Sequence, residues 1–221
     1  MEHAQRTSPV AAELHELRPT WGMLNDMPVA LSCGGDIAAP VMLCDLSALR
    51  RFGVKGPQAA AWLRENGIET PAGINQWSPL ANGGIVCRLA TSEFLVEDGW
   101  HGNLVTPLAA KFQYGTRGVY PVLRQDGELA LGGERAAELL VQVCGVNFKA
   151  LKDGSTDVVM TSMAGVGVIA VRQLLPSGSV YRFWCDGSYA PYLWETLLSI
   201  AKELGGATLG VEEMFPGAIK A

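Results

Sequence analysis

The stretch YRFWCDGSYAPYLWETLLSIAKEL, Tyr181 to Leu204, decides the class of fold because a strand pattern passes directly into a helix pattern. Its first five residues are aromatic or apolar apart from Arg182, the composition of a half-buried strand. Apolar residues then recur at steps of three and four: Tyr189, Leu193, Leu197, Ile200 and Leu204. This spacing predicts an amphipathic helix, which Ser188 is placed to cap and Gly205-Gly206 to end. We expect the helix to lie across a sheet.

Length and composition describe a well-packed globular chain. The sequence has 221 residues, enough for one large domain or two small ones. Hydrophobic residues make up 48% and charged residues 18%, which argues against disorder. The net charge of −5, without any basic run, argues against binding to nucleic acid or to an anionic membrane surface, because neither would be attracted to it.

Other features of the sequence predict a soluble protein of the cytoplasm. The N-terminal residues carry charges throughout and have no apolar core, so they do not predict a secretory signal. No run of about 18 apolar residues is present, so no membrane-spanning segment is predicted. The five cysteines are widely spaced and form no CxxC pair. That spacing favours buried thiols in a reducing compartment over disulfides or a metal site.

Proline and glycine divide the chain into two regions. Residues 1–40 are predicted to form an irregular N-terminal arm, since Pro19, Pro28, Pro40 and the Gly34-Gly35 pair interrupt them. Such an arm either covers a neighbouring surface or is loosely ordered. Residues 41–221 are predicted to form the folded domain, in which strand patterns and helix patterns alternate.

The order of elements within the folded domain occurs twice. The helix opening Gly56-Pro57-Gln58-Ala59 matches Gly133-Glu134-Arg135-Ala136, and strand patterns follow each of them. The two halves, about 41–124 and 125–212, are each close to a split β-α-β-β-α-β arrangement. We therefore predict an α+β fold of two linked ferredoxin-like halves, with antiparallel sheets and helices on one face.

The residues themselves predict no catalytic, cofactor-binding or metal-binding site. The three histidines have no acid or cysteine at ligand spacing: His3, His15 and His101. No nucleophile motif of the GxSxG or Cys–His type is present. The sequence Ser177-Gly178-Ser179 is interpreted as a hairpin turn.

Two further segments are interpreted as turn devices in preference to ligand sites. Asp45 and Ser47 end the first strand beside Arg50-Arg51, where the acid either caps a turn and pairs with an arginine or positions a ligand amine. Gly132-Gly133 opens a helix in the way that anion sites do, but Glu134 would repel a phosphate there.

Four segments within residues 44–206 follow one another in a familiar order: CDLSALRRFGVKGPQAAAWL, CRLATSEFLVEDG, ELALGGERAAELLVQVCGVNF and YRFWCDGSYAPYLWETLLSIAKELGG. Together they resemble the glycine-cleavage T-protein, or aminomethyltransferase, group of folate-binding proteins. Within that group they are most similar to the gamma subunit of heterotetrameric sarcosine oxidase. The resemblance implies the T-protein folate-binding fold, in agreement with the two predicted halves.

The chain departs from the catalytic members of that group at two places. Those members carry an acidic pair before the strand that corresponds to residues 84–89, where this chain has Leu80-Ala81-Asn82-Gly83-Gly84. They also carry a Gly-Tyr-Thr-Gly-Glu segment whose acid contacts folate, where this chain has Leu174-Leu175-Pro176-Ser177-Gly178-Ser179. Because both carboxylates are missing, the resemblance implies a module that is kept for its shape and contacts and not for turnover.

The function implied by the resemblance is a non-catalytic structural subunit of a sarcosine-oxidase-like, flavin-dependent N-methyl amine oxidase complex. Larger alpha-like and beta-like subunits are the expected partners, and flavin, NAD and tetrahydrofolate are expected on them and not on this chain. The alternative is a free-standing tetrahydrofolate-binding protein or a folate-dependent aminomethyltransferase-like enzyme. Five aromatic residues are candidates for partner contacts: Trp21, Trp77, Trp100, Tyr114 and Tyr192.

Overall fold

The computed structural model describes residues 6–81, 83–152, 154–175 and 178–219, without the side chains of Gln113 and Tyr114. The strands are β1 (Thr20–Leu24), β2 (Met27–Ser32), β3 (Met42–Asp45), β4 (Arg51–Lys55), β5 (Gln76–Pro79), β6 (Ile85–Ala90), β7 (Glu93–Glu97), β8 (Tyr120–Val122), β9 (Asp126–Gly132), β10 (Val158–Met163), β11 (Val166–Leu175), β12 (Gly178–Asp186) and β13 (Ala207–Thr208). The helices are α1 (Ala11–Glu16), α2 (Ala59–Glu65), α3 (Val105–Ala110), α4 (Ala136–Val143), α5 (Ala190–Glu203) and α6 (Val211–Met214), and short 3-10 turns cover Lys111–Tyr114 and Phe148–Ala150.

Contacts divide the chain into two compact units. The large unit comprises residues 1–48, 126–155 and 159–221, and the small unit comprises residues 49–125 and 156–158. The predicted halves, 41–124 and 125–212, stay a prediction. By sequence, β3 lies within the first predicted half, but it pairs with β9 in the large unit. In the described ranges, no helix is long and apolar enough to cross a membrane.

The small unit is a ferredoxin-like β-α-β-β-α-β arrangement with one additional edge strand. Its elements β4, α2, β6, β7, α3 and β8 occur in that order, and its antiparallel sheet has the strand order β5-β6-β7-β4-β8. Phe52 and Val54 of β4 and Phe94 and Val96 of β7 point to the same face as alternate residues do in a strand. They pack with Trp62 of α2, so the helices cover one face of the sheet.

The large unit repeats this arrangement with two changes. β9, α4, β11, β12, α5 and β13 occur in the same order, β10 is the additional edge strand, and β3 is inserted between β9 and β13. The core of this unit lies between the sheet and its helices and includes Leu129, Phe183, Leu193 and Leu197, all fully buried. The predicted α+β class with antiparallel sheets and few helices is therefore confirmed.

The helices α2 and α4 each follow an equivalent glycine, three residues before their first residue. Gly56 and Gly133 have positive φ angles of 123° and 97°. A β-carbon at either glycine would lie 2.4 Å from a backbone carbonyl oxygen, that of Gly118 and that of Pro40 respectively. A side chain is therefore excluded at both positions. The repeated glycine in the sequence therefore reflects the same packing requirement in both units, a close approach of a backbone carbonyl oxygen before the helix.

The predicted irregular arm is wrong for most of the described residues before position 40. α1 buries Leu14 in the core of the large unit, and β1 and β2 form an antiparallel hairpin. Asn25 and Asp26 make its two-residue turn, with φ angles of 53° and 62°. Both φ values are positive, as a type I′ turn requires, and Asn and Asp tolerate this region better than most residues.

α5 lies within two residues of its predicted bounds but begins differently from the expectation. Ser188 does not cap the helix; its backbone N–H and its hydroxyl both donate to Oδ1 of Asp186, at 2.9 and 2.6 Å. Tyr189, the residue before the helix, is 58% exposed and lies outside the buried stripe. Trp194, which the three-and-four spacing did not include, is fully buried in its place.

Candidate functional site

A cavity of about 610 Å³ lies within the large unit beside the first residues of β12 and the N-terminal end of α4. α6 and the residues around Met42 complete its wall. Its charged lining residues are Glu134, Lys149, Arg172 and Glu213. This volume is in the range of small-molecule sites, so we take the cavity as the candidate site and consider each charged group in turn.

Arg172 forms the half-buried cationic part of the wall. Its Nη2 donates to the hydroxyl of Ser179 at 2.9 Å, and its Nη1 donates to the carbonyl of Leu151. The guanidinium lies 5.7 Å from the ring centre of Tyr181. These contacts fix the guanidinium of Arg172 beside the first residues of β12. Its orientation is therefore more restricted than that of an arginine side chain on the surface.

Glu213 is the acidic group of the wall and is bound to four donors. Oε1 accepts from the hydroxyl of Ser32 at 2.6 Å and from the N–H of Gly34 at 3.0 Å, and Oε2 accepts from the N–H groups of Cys33 and Gly210 at 2.8 and 2.7 Å. Burial alone would raise the pKa of Glu213, but these hydrogen bonds outweigh it and lower the pKa. The carboxylate joins α6 to the end of β2 and has little capacity left for a ligand.

The surroundings of the thiol next to this carboxylate disfavour its ionisation. Burial, and then the negative charges of Glu213 and Asp45, raise the pKa of Cys33 to about 11. The fully buried Cys44 has its pKa raised further by burial and by the same carboxylates. Neither thiol has the electropositive surroundings that a nucleophilic or redox cysteine needs.

Glu134 and Lys149 stand at the mouth of the cavity and are exposed. They carry opposite charges, so the mouth has no strong preference for either sign. Of the two carboxylates in the described wall, that of Glu134 is thus exposed to solvent, and that of Glu213 is already hydrogen-bonded to four donors of the protein. The cavity offers a fixed arginine and apolar surface, but no buried acid placed to exchange a proton with a ligand.

Asp45 acts as a turn cap, one of the two interpretations that its sequence position left open. Oδ1 accepts from the backbone N–H and the hydroxyl of Ser47 at 3.0 and 2.6 Å, and Oδ2 accepts from the hydroxyl of Ser8 at 2.6 Å. The hydroxyl of Ser47 in turn accepts from the N–H of Glu128 at 3.0 Å. This network ties the end of β3 to residue 8 and to β9 inside the large unit.

The two arginines that follow in sequence make contacts in the small unit. Arg50 donates to the hydroxyl of Thr106 at 3.0 Å. Arg51 pairs with Glu97 at 3.0 Å, and both side chains are almost completely buried. These contacts fit structural roles for both arginines.

Among the residues that the structure describes, the histidines and cysteines do not converge on a metal site. His15 stacks on Trp21 with ring centres 4.6 Å apart, His101 lies exposed in a turn, and His3 is outside the described residues. Within the described part of the chain, no three His, Cys, Asp or Glu side chains are grouped so that they could hold a metal ion.

The two segments that depart from the catalytic pattern are both turns between paired strands. Between β5 and β6, the N–H of Leu80 donates to Gly84 and that of Gly83 to Leu80, at 2.8 and 2.9 Å, while Asn82 itself is outside the described residues. Between β11 and β12, Leu174 pairs with Ser179 and Leu175 with Gly178. The turn predicted around Ser177 falls at this hairpin, although Pro176 and Ser177 are also outside the described residues.

Only part of the predicted aromatic contact set is exposed. Tyr192 is 53% exposed and donates a hydrogen bond from its hydroxyl to the carbonyl of Ala164 at 3.2 Å. Trp21, Trp77 and Trp100 are half-buried, and the side chain of Tyr114 is not among those described. Of the predicted set, Tyr192 offers the most surface for a partner.

Comparison with known proteins gives similarity of fold. The chain superimposes on the glycine cleavage system aminomethyltransferase T of Bartonella henselae with a TM-score of 0.73 and 16% identity, over 96% of this chain and 61% of that one. It superimposes on a chain of the heterotetrameric sarcosine oxidase of Corynebacterium sp. U-96, solved with pyrrole 2-carboxylate, with a TM-score of 0.65 and 19% identity, over 91% of this chain and 97% of that one. No protein-family model matches the sequence, and no curated protein matches it.

The protein therefore has the fold of the T-protein superfamily, and at this level of identity the comparison shows the fold alone. It spans 61% of the aminomethyltransferase chain, whereas its length nearly equals that of the sarcosine oxidase chain. The similarity to two proteins of different activity leaves the choice between them to the site and to experiment.

Proposed function

We propose that this chain is a non-catalytic, gamma-type structural subunit of a heteromeric, flavin-dependent N-methyl amine oxidase complex of the sarcosine oxidase kind. The observation that carries the proposal is the extent of the two fold matches. The chain accounts for 97% of a chain of a heterotetrameric sarcosine oxidase but for only 61% of an aminomethyltransferase T.

The chemistry of the cavity supports a structural role. Glu213 is occupied by four donors, Glu134 is exposed, and the thiol of Cys33 is held protonated. A folate-dependent transfer needs an acid that is both buried and available to the carrier. In the proposed complex, larger alpha-like and beta-like subunits carry flavin, NAD and tetrahydrofolate, and the complex works in the cytoplasm.

The test is to isolate the protein gently, by an affinity tag, from the cell in which it naturally occurs. We expect larger subunits to co-purify at a fixed ratio, with flavin absorbance and N-methyl amine oxidation in the same fraction. The isolated chain should have neither. A monomeric chain without any flavoprotein in its fraction would refute the proposal.

The alternative function is a free-standing tetrahydrofolate-binding protein or folate-dependent transferase, and the volume of the cavity favours it. We would titrate the isolated chain with tetrahydrofolate and follow both heat and tryptophan fluorescence. A matched variant, Ala137→Phe, places a ring in the cavity wall without changing charge. Binding that this variant abolishes would support the alternative, and no signal from the unmodified chain would dismiss it.

A further inference from the structure

A second concavity of about 470 Å³ runs between α1 and α5 within the large unit. Its apolar floor includes Leu17, Trp194 and Leu198. α5 is 14 residues long, and its buried residues pack in the core of the large unit. The groove therefore lies along a helix that is fixed in position. Its position is distinct from the cavity beside α4, since the two share no lining residue.

The rim of the groove carries a concentrated negative charge. Four glutamates line it, Glu13 and Glu16 from α1 and Glu195 and Glu203 from α5, against the single cation Lys202. Four carboxylates and one ammonium give −3, in a chain whose net charge is −5. None of the four makes an ion pair or hydrogen bond to another side chain among the described residues. Such a surface attracts cationic groups and repels anionic ones.

Two buried polar atoms at the same groove lack partners. The indole N–H of Trp194, a residue with no exposed surface, has no acceptor among the described residues, and Oε2 of Glu13 has no donor. A buried polar group without a partner is unfavourable. One donor and one acceptor without partners thus belong to two residues that line the groove.

We propose that this groove docks a basic, amphipathic segment of the partner subunit. Lysine or arginine side chains of that segment lie over the glutamates, and an apolar side chain between them covers Leu17 and Leu198. Glu195 and Glu203 are eight residues apart on one helix, about 12 Å along its axis. Basic residues seven or eight apart on a partner helix match that spacing. The inference rests on the proposed function, for which it names the docking face.

The binding chemistry is tested with a synthetic peptide in place of the partner. The peptide is a fluorescein-labelled helix with lysines on one face and leucines on the other. The fluorescence anisotropy of the label should rise when the protein is added. The affinity should fall steeply as the salt concentration increases. A peptide with glutamate for each lysine should not bind. The variant E195Q/E203Q should bind the lysine peptide about tenfold more weakly, by the loss of two charge pairs.

The matched control is E65Q/E69Q, which removes the same charge from exposed glutamates of the small unit. Equal affinities for the groove variant and the control would overturn the proposal, because the attraction would then be one of net charge alone or would not involve these charges at all. Trp194→Phe removes the indole N–H and should weaken the lysine peptide without changing the salt dependence.

Co-purification separates this proposal from the function on which it rests. If the flavoprotein co-purifies with E195Q/E203Q to the same extent as with the unmodified chain, the groove is not the docking face. The proposed function as a subunit of the complex is then unaffected. If only the groove variant loses it, the proposal is supported. If no chain carries a flavoprotein, the proposed function fails, and docking to an oxidase subunit fails with it.

Discussion

Replacing Glu213 with glutamine should destabilise the large unit, because hydrogen bonds to this carboxylate connect α6 to the end of β2. The carboxylate accepts four hydrogen bonds, three of them from backbone N–H groups that cannot turn away. An amide keeps one accepting oxygen and turns an NH₂ group toward donors. Loss of two bonds to a charged acceptor, which are worth about 1.5–3 kcal/mol each, gives an expected cost of about 2–4 kcal/mol after allowance for partial exposure.

The dependence on pH has a definite sign. The pKa of Glu213 is lowered in the folded protein, so its contribution to stability is complete above the pKa of an unfolded glutamate, about 4.3. It is lost as the pH falls through the lowered pKa. The free energy of unfolding by urea should therefore differ between the two proteins at pH 7 and converge at low pH.

Glu65→Gln is the control, since Glu65 is exposed and outside the large unit. It should leave the free energy of unfolding within about 0.5 kcal/mol of the unmodified value. If Glu213→Gln behaves like the control, the four hydrogen bonds contribute nothing and Glu213 is free to serve a ligand. The structural interpretation of the cavity would then have to be abandoned.

Three further changes test other parts of the structure. Arg182→Met leaves Glu128 buried without its cation and should cost about 3–5 kcal/mol in urea unfolding, whereas adding Glu128→Gln should recover much of the loss; a double variant that is no better would refute the pairing. Leu197→Ala removes a fully buried side chain of α5 and should cost about 2–5 kcal/mol, against little effect if the helix is not packed on the sheet. With its pKa at about 11, Cys33 should have about one thiol in a thousand ionised at pH 8, so slow alkylation is expected, and rapid alkylation of the folded protein would contradict the geometry.

Periodic segments could be predicted from the sequence because their signal is local. The three-and-four spacing around Leu193 and Leu197 placed α5 within two residues of its bounds, Ala190–Glu203. The hairpin of β6 and β7 has the same kind of local signal, an apolar run on either side of Thr91-Ser92. In both elements the residues that decide the structure are neighbours in the chain, so pattern alone is sufficient.

The hairpin of β1 and β2 was missed because its turn contains no glycine. Asn25-Asp26 is a weaker turn signal than Asn-Gly, and Pro28 counts against a strand. Pro28 is tolerated in this two-stranded sheet, where it lies opposite Met23. β5 was missed because Gln76–Pro79 is short and half exposed, without alternation of apolar and polar residues.

The polar groups of the cavity could not be predicted from the sequence because their partners are distant in the chain. Glu213 accepts from Cys33, 180 residues earlier, and Arg172 donates to Leu151, 21 residues earlier. Two weak signals were present: an arginine within the apolar run of β11, and a glutamate three residues after Gly210, where it receives the N–H at the start of α6. Neither signal identifies a cavity without the fold.

Both halves bury one arginine–glutamate pair, and the signs are exchanged between them. Arg51 on β4 and Glu128 on β9 stand at equivalent positions, because each lies five residues before the glycine that opens the next helix, 51 to 56 and 128 to 133. Arg51 pairs with Glu97 on β7, and Glu128 pairs with Arg182 on β12, with all four side chains at most 6% exposed. A single change of sign at either position would leave two like charges buried together, which is far less favourable than an unpaired charge. Each half is therefore electrically neutral at this position, with the cation and the anion exchanged between the two strands that supply them.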